Sequence, residues 1–163
     1  MRGVLTLGLM RGAMVAGGAS AADQPLHIYS QFKGADVVLD VVNGGQLDNF
    51  VHLMPKADVS GQGWIMTPDE QGTFRLTTQF RGKDMCLDVI RVKGGGGPDG
   101  FLKLMPCGNH EGQYWTSQDD GGWLTLRPQF WKLCLDVVNG GQLDGFVRMT
   151  ECNDYSGQHW KIE

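Results

Sequence analysis

Residues 130–160 read FWKLCLDVVNGGQLDGFVRMTECNDYSGQHW, and the stretch decides the fold because the chain contains it three times. The earlier copies are FKGADVVLDVVNGGQLDNFVHLMPKADVSGQGW at 32–64 and FRGKDMCLDVIRVKGGGGPDGFLKLMPCGNHEGQYW at 80–115. A Leu-Asp pair falls at 39–40, 87–88 and 135–136, each 48 residues after the last. A Gln-x-Trp signature falls at 62–64, 113–115 and 158–160, at spacings of 51 and 45. A repeat of this length is one supersecondary unit, which must stack on its neighbours to bury its apolar face.

Each copy reads as four short strands. Leu26-His27-Ile28-Tyr29, Phe74-Arg75-Leu76-Thr77 and Leu124-Thr125-Leu126-Arg127 alternate as half-buried strands do, and each is followed by Gln-Phe. The second strands centre on Leu39, Leu87 and Leu135. Period-2 alternation puts these leucines on one face with Val41, Val89 and Val137, and Asp40, Asp88 and Asp136 on the other. Gly-rich reversals follow at Asn43-Gly44-Gly45, Gly94 to Gly97 and Asn139-Gly140-Gly141, because Gly and Asn tolerate positive φ. The run at 94–97 lacks the Gly-Lys-Ser/Thr ending and following helix of a phosphate loop. Third strands are expected from Phe50, Phe101 and Phe146, with His52, Lys103 and Arg148 facing away from the apolar positions. Fourth strands are expected at the Gln-x-Trp signatures, with Trp64, Trp115 and Trp160 as core anchors, since an indole buries much apolar area. No segment carries a 3.6-residue apolar period over a helix's length. The expectation is an all-β domain of about twelve short strands with pseudo-threefold symmetry, spanning 22–163 with repeats at about 26–68, 74–118 and 124–163.

Residues 1–21 differ from the rest. A basic start, an apolar run broken by Arg11, and Ala19-Ser20-Ala21 suggest a secretory signal cleaved before Ala22, hence a secreted or periplasmic protein. No later apolar run is long enough to cross a bilayer, so membrane insertion is not expected. Formal net charge is −4 with no basic tract, which argues against nucleic acid as a partner.

The four cysteines lie in the second and third copies, as Cys86/Cys107 and Cys134/Cys152. Copy one has Val38 and Lys56 at the equivalent places, so both partners are missing together. Four cysteines allow three pairings; the paired absence argues for 86–107 and 134–152. Metal binding would need thiolates or histidines at short, converging spacing, and these separations supply none, so no metal is expected.

With its three Gln-x-Trp units, Cys-Leu-Asp tracts and following cysteines, the sequence from 26 to 163 resembles the ricin-type (R-type) β-trefoil lectin family, also called the family-13 carbohydrate-binding module. The resemblance implies a β-trefoil with up to three shallow sugar sites and no catalysis or cofactor. It places sugar-binding carboxylates at Asp40, Asp88 and Asp136, third-strand polar residues at His52, Lys103 and Arg148, and motif glutamines at Gln62, Gln113 and Gln158. A carboxylate can accept hydrogen bonds from two adjacent hydroxyls, as a pyranose edge presents them. The aspartates could instead cap their own turns or pair with the third-strand cations.

The chain departs from the family at two ligand-facing positions. Met54, Met105 and Thr150 stand where an aromatic platform is expected, and Gly61, Gly112 and Gly157 where an asparagine often precedes the glutamine. Tyr155 is a substitute platform, with His110 and Val59 at the matching places, so copy three, with Asp136, Arg148 and Tyr155, is the first-choice site. Phe50, Phe101 and Phe146 read chiefly as edge core packing. The leading function is a secreted lectin acting on a glycan or polysaccharide; the alternative is a trefoil scaffold that binds a protein, as an inhibitor or adhesin. Asp48, Asp99 and Asp144 recur beside the Leu-Asp aspartates, but a threefold carboxylate in turns reads as a turn residue before a glycosidase pair. No Ser/His/Asp arrangement is present either, and an enzyme is not expected.

Overall fold

The computed structural model describes residues 24–90, 100–129 and 131–163. The expected signal at 1–21, the reversal at 94–97, Asp99 and Phe130 lie outside the described residues. Copy one forms β1 (Ile28–Ser30), β2 (Val37–Val41), β3 (Val51–Pro55) and β4 (Trp64–Pro68). Copy two forms β5 (Phe74–Thr78), β6 (Met85–Val89), β7 (Leu102–Pro106) and β8 (Trp115–Asp120). Copy three forms β9 (Trp123–Pro128), β10 (Leu133–Val137), β11 (Val147–Glu151) and β12 (Trp160–Ile162). Several strands end on proline, which has no N–H to continue a ladder.

First and fourth strands build one six-stranded sheet in the order β1-β12-β9-β8-β5-β4. Leu26 and Trp64 exchange backbone hydrogen bonds at 2.7 and 2.9 Å, joining the β1 side to β4 and closing the sheet into a barrel. Second and third strands form three separate hairpins, β2-β3, β6-β7 and β10-β11. The hairpins are linked in a ring. Leu53 N–H donates to Gly145 O at 2.7 Å, Met149 N–H to Gly100 O at 2.8 Å, and Leu104 N–H to Asn49 O at 2.9 Å. Those three acceptors are the equivalent residues of the copies, and all have positive φ: 68° at Asn49, 80° at Gly100 and 82° at Gly145. Only Gly and Asn adopt that conformation cheaply, which explains the Asp-Asn-Phe and Asp-Gly-Phe tracts. Barrel plus hairpin triplet is the β-trefoil architecture.

The three motif tryptophans are fully buried. Each indole Nε1–H donates to a leucine carbonyl in its own second strand: Trp64 to Leu39 at 2.9 Å, Trp115 to Leu87 at 3.2 Å, Trp160 to Leu135 at 2.9 Å. The ring fills the core while its one polar atom ties barrel to hairpin, as a buried indole N–H requires a partner. Around them pack Leu39, Leu53, Leu87, Leu104, Leu135 and Met149 with Val41, Val89 and Val137.

Three details differ from the sequence reading. Each motif glutamine ends a single 3-10 turn (Ser60–Gln62, Glu111–Gln113, Ser156–Gln158), and the fourth strand starts at the tryptophan. Phe50, Phe101 and Phe146 precede the third strands and bridge to neighbouring hairpins instead. Val38, Cys86 and Cys134 are buried although alternation sets them beside the aspartates. In copies two and three the loop carrying the second cysteine closes over that position through the Cys86–Cys107 and Cys134–Cys152 disulfides, each with a Cα–Cα distance of 5.0 Å. Copy one keeps the same backbone frame without the bond: Lys56 N–H donates to Asp36 O at 2.8 Å, as Cys107 N–H does to Asp84 O at 2.9 Å.

Each disulfide closes a loop of about 20 residues, for which chain entropy gives about 3 kcal/mol. The double substitution Cys134→Ser/Cys152→Ser is expected to lower unfolding free energy by about that amount, measured by urea denaturation of the oxidised protein.

Candidate functional site

The aspartate of each Leu-Asp pair lies half-buried at the same place in its copy, held from two sides. Its Oδ1 accepts the backbone N–H of the next residue: Val41 to Asp40 and Val89 to Asp88 at 2.7 Å, Val137 to Asp136 at 2.8 Å. Its Oδ2 accepts from the motif glutamine: Gln62 at 3.2 Å, Gln113 at 3.0 Å, Gln158 at 3.1 Å. The glutamines are fully buried. Their amide oxygens accept from Ala57, Gly108 and Asn153 N–H, and their Nε2 atoms also donate to Pro55, Pro106 and Glu151 carbonyls. Each glutamine therefore sits behind its aspartate, bracing the loop and aiming the carboxylate.

The glycine before each glutamine leaves room for that carboxylate. A Cβ on Gly157 would come within 2.5 Å of Asp136 Oδ1, and one on Gly61 or Gly112 would collide likewise with Asp40 or Asp88. The missing asparagine of the family pattern is thus replaced by space that the aspartate occupies.

The third-strand basic residues lie directly across their hairpins from the aspartates, in the registers Asp40↔His52, Asp88↔Lys103 and Asp136↔Arg148. All three also meet phenylalanines of neighbouring copies. The His52 ring lies 5.3 Å from that of Phe146, and Lys103 Nζ stands 5.0 Å above the Phe50 ring. Arg148 is exposed and bridges through its backbone to Phe101. Phe101 is buried, while Phe50 and Phe146 are half-buried. Burial pushes the His52 pKa below the ordinary histidine value, outweighing the opposing pull of the Asp40 carboxylate.

Copy three differs from the others in two ways. Thr150, in the platform position, donates its hydroxyl to Asp136 Oδ2 at 3.0 Å and accepts from Gln158 Nε2 at 2.9 Å. Met54 and Met105, its counterparts, are instead 39% exposed. Beside Asp136 opens a cleft of about 230 Å3, walled by Tyr155 and by Phe32, with Asn139 at the rim. Phe32 belongs to copy one. Its N–H donates to Ser156 O at 3.1 Å, and Gln31 N–H to His159 O at 2.8 Å, so the β1–β2 turn docks on the copy-three loop. Phe80 N–H makes the same bond to Ser60 O, at 3.2 Å, beside copy one's loop. Sequence reasoning missed Phe32 and Asn139; the available signal was the Gln-Phe pair repeated at 31–32, 79–80 and 129–130, just before the turn into each second strand. Tyr155 is 61% exposed and lines the Asp136 cleft, whereas its exposed counterpart Val59 lines a cleft with Gly63 and Gln79 that excludes Asp40, and His110 is exposed. Two larger clefts, about 670 Å3 by Tyr114 and about 360 Å3 by Gly63 and Gln79, contain none of the three aspartates.

Asp48 and Asp144 accept the Gly44 and Gly140 N–H at 2.6 and 2.7 Å, which makes them turn residues. They also pair across copies, Asp48 with Arg81 at 2.7 Å and Asp144 with Lys33 at 3.8 Å. Among the described residues, no group of three or more His, Cys, Asp or Glu side chains is placed to hold a metal ion.

The family model of the ricin-type β-trefoil lectin domain matches residues 27–160. Similar solved structures include the designed threefold-symmetric protein ThreeFoil, at 23% identity and a TM-score of 0.68, over 84% of this chain and 96% of that one. The earthworm R-type lectin C-half in complex with GalNAc is 15% identical, with a TM-score of 0.61 over 86% and 98%. The Polyporus squamosus lectin bound to a sialylated influenza-binding epitope is 18% identical, with a TM-score of 0.66 over 88% of this chain and 50% of that one. At these identities the likeness is one of fold. Among curated proteins, none matches the sequence.

Two outcomes follow from the site's geometry. Gly157→Ala forces the Asp136 carboxylate to move and is expected to cost about 1–3 kcal/mol, the range of an overpacked position, read by thermal or urea unfolding. Because folding lowers the His52 pKa, the unfolded chain binds more protons on acidification, so His52's contribution to stability is present above the ordinary value of 6.5 and lost as pH falls through the folded value. Urea midpoints at pH 7.5 and 5.5 are expected to differ less in His52→Gln than in the wild type.

Proposed function

The chain belongs to the ricin-type β-trefoil lectin domain family, and on that footing we propose that it is a secreted, non-catalytic carbohydrate-binding protein with up to three shallow glycan sites. The observation that carries the reading is the threefold aspartate, held identically by a backbone N–H and a buried glutamine amide. A carboxylate fixed in this way keeps acceptor capacity on its outer side for hydroxyl donors, which are what a saccharide offers. Asp40, Asp88 and Asp136 are the contacts; Gln62, Gln113 and Gln158 position them. His52, Lys103 and Arg148 border the sites with donor groups, Tyr155 supplies the loop wall of copy three, and His110 stands at the matching place in copy two. The two disulfides support export to an oxidising compartment, as the expected signal at 1–21 does.

The sites face outward from three copies of one rigid ring, which suits repeated residues on a glycan or polysaccharide. Linked weak sites gain through effective concentration rather than through one deep pocket. Glycan-array binding by the wild type and by Asp40→Ala, Asp88→Ala and Asp136→Ala, singly and together, tests this, with near-ultraviolet circular dichroism to verify folding. Single substitutions are expected to weaken binding about tenfold, and the triple substitution to lose it, on the scale of avidity from linked sites. Retention of binding by a folded triple variant overturns the reading. Capture of one protein partner with no glycan bound would support the scaffold alternative instead.

A further inference from the structure

We propose that the third site is a stacking site for a neutral pyranoside, with one aromatic wall lent by copy one: Phe32 and Tyr155 grip the apolar face of the sugar ring while Asp136 takes a single hydroxyl. This deepens the carbohydrate reading and rests on it. A carboxylate has about four acceptor positions. Asp136 has three engaged by described residues, through Val137 N–H, Gln158 Nε2 and Thr150 Oγ1, whereas Asp40 has two, through Val41 N–H and Gln62 Nε2. Copy one therefore keeps capacity for a pair of adjacent hydroxyls. Copy three keeps capacity for about one, and hydrogen bonding there is the poorer source of affinity.

The aromatic walls supply what the carboxylate lacks. Phe32 is 39% exposed and lines the Asp136 cleft, while its copy-two counterpart Phe80 is partly buried and packs against the core. The Lys33 ammonium stands 4.9 Å over the Phe32 ring and pairs with Asp144 at 3.8 Å, which restrains a ring that the core does not hold. An exposed phenylalanine restrained in this way lines one cleft with an exposed tyrosine and the Asp136 carboxylate, giving it apolar walls and an anionic group. A pyranose face with its C–H groups on one side fits the apolar sides, and the carboxylate repels a uronic or sialic acid. The cleft volume of about 230 Å3 suits one sugar ring.

The test is site-resolved. The amides of Val41 and Val137 each donate to their own aspartate, so their resonances in the 15N-labelled full protein report the two sites separately. The probes are the methyl pyranosides of galactose, glucose and N-acetylgalactosamine, with galacturonate as the charged comparison. At least one neutral glycoside is expected to shift Val137, with galacturonate weaker at that reporter. Phe32→Ala and Phe32→Leu are each expected to weaken this titration about tenfold, the size of an aromatic contact, without altering the Val41 response. The leucine variant keeps apolar bulk, so its loss reports the ring face itself. If both Phe32 variants titrate like the wild type while Asp136→Ala abolishes the Val137 response, the stacking inference falls and the carbohydrate reading stands. If no probe moves either valine, both fall.

Discussion

The indole N–H of each motif tryptophan, bonded to a leucine carbonyl one strand-pair away, is the constraint on which the rest depends. Trp64, Trp115 and Trp160 begin the fourth strands of the barrel, and Leu39, Leu87 and Leu135 lie in the hairpins. The bond therefore fixes the distance and orientation between the two parts of each copy. The accepting carbonyl belongs to the residue immediately before the site aspartate, so core and site share one peptide unit. The glutamine two residues before each tryptophan braces the same aspartate from the other side. An anchor in the core thus becomes a fixed carboxylate at the surface with few intervening degrees of freedom, which is how a shallow site stays preorganised.

Symmetry is kept where the copies must fit together and given up where they face solvent. The positive-φ residues Asn49, Gly100 and Gly145 recur because each must aim its carbonyl at the next hairpin. The third-strand residues behind them recur as hydrogen-bond donors but not in identity or charge: His52, Lys103 and Arg148 all rest near a phenylalanine of another copy. Around the aspartates the copies diverge. Thr150 takes up part of the Asp136 carboxylate where Met54 and Met105 cannot, and Tyr155 faces Asp136 where Val59 and His110 occupy the other loops. One frame therefore surrounds the same carboxylate with three chemically different settings.

Much of the fold was legible in the sequence because its causes are local and repeated. Alternation put Leu39 inward and Asp40 outward, and the joint absence at Val38/Lys56 paired the cysteines correctly. The third-strand basic residues were less legible: pairing with their own aspartates was a fair alternative on register, yet His52 and Lys103 make ring contacts across a copy boundary. The glutamines stood beside the aspartates in the motif, but their complete burial depends on the loop that folds over them.

The sequence by itself determined the repeat, the all-β class, the tryptophan anchors and the positions of the three carboxylates, since all of these follow from short-range patterning replicated at a steady spacing. Only the tertiary structure decided which copy touches which. Gln31 and His159 hydrogen-bond although 128 residues apart, and beside them Phe32 reaches the cleft of Asp136. Such a contact exists because the barrel closes, bringing the first copy against the last. Ring closure is a property of all three units packed together, and no single repeat encodes it.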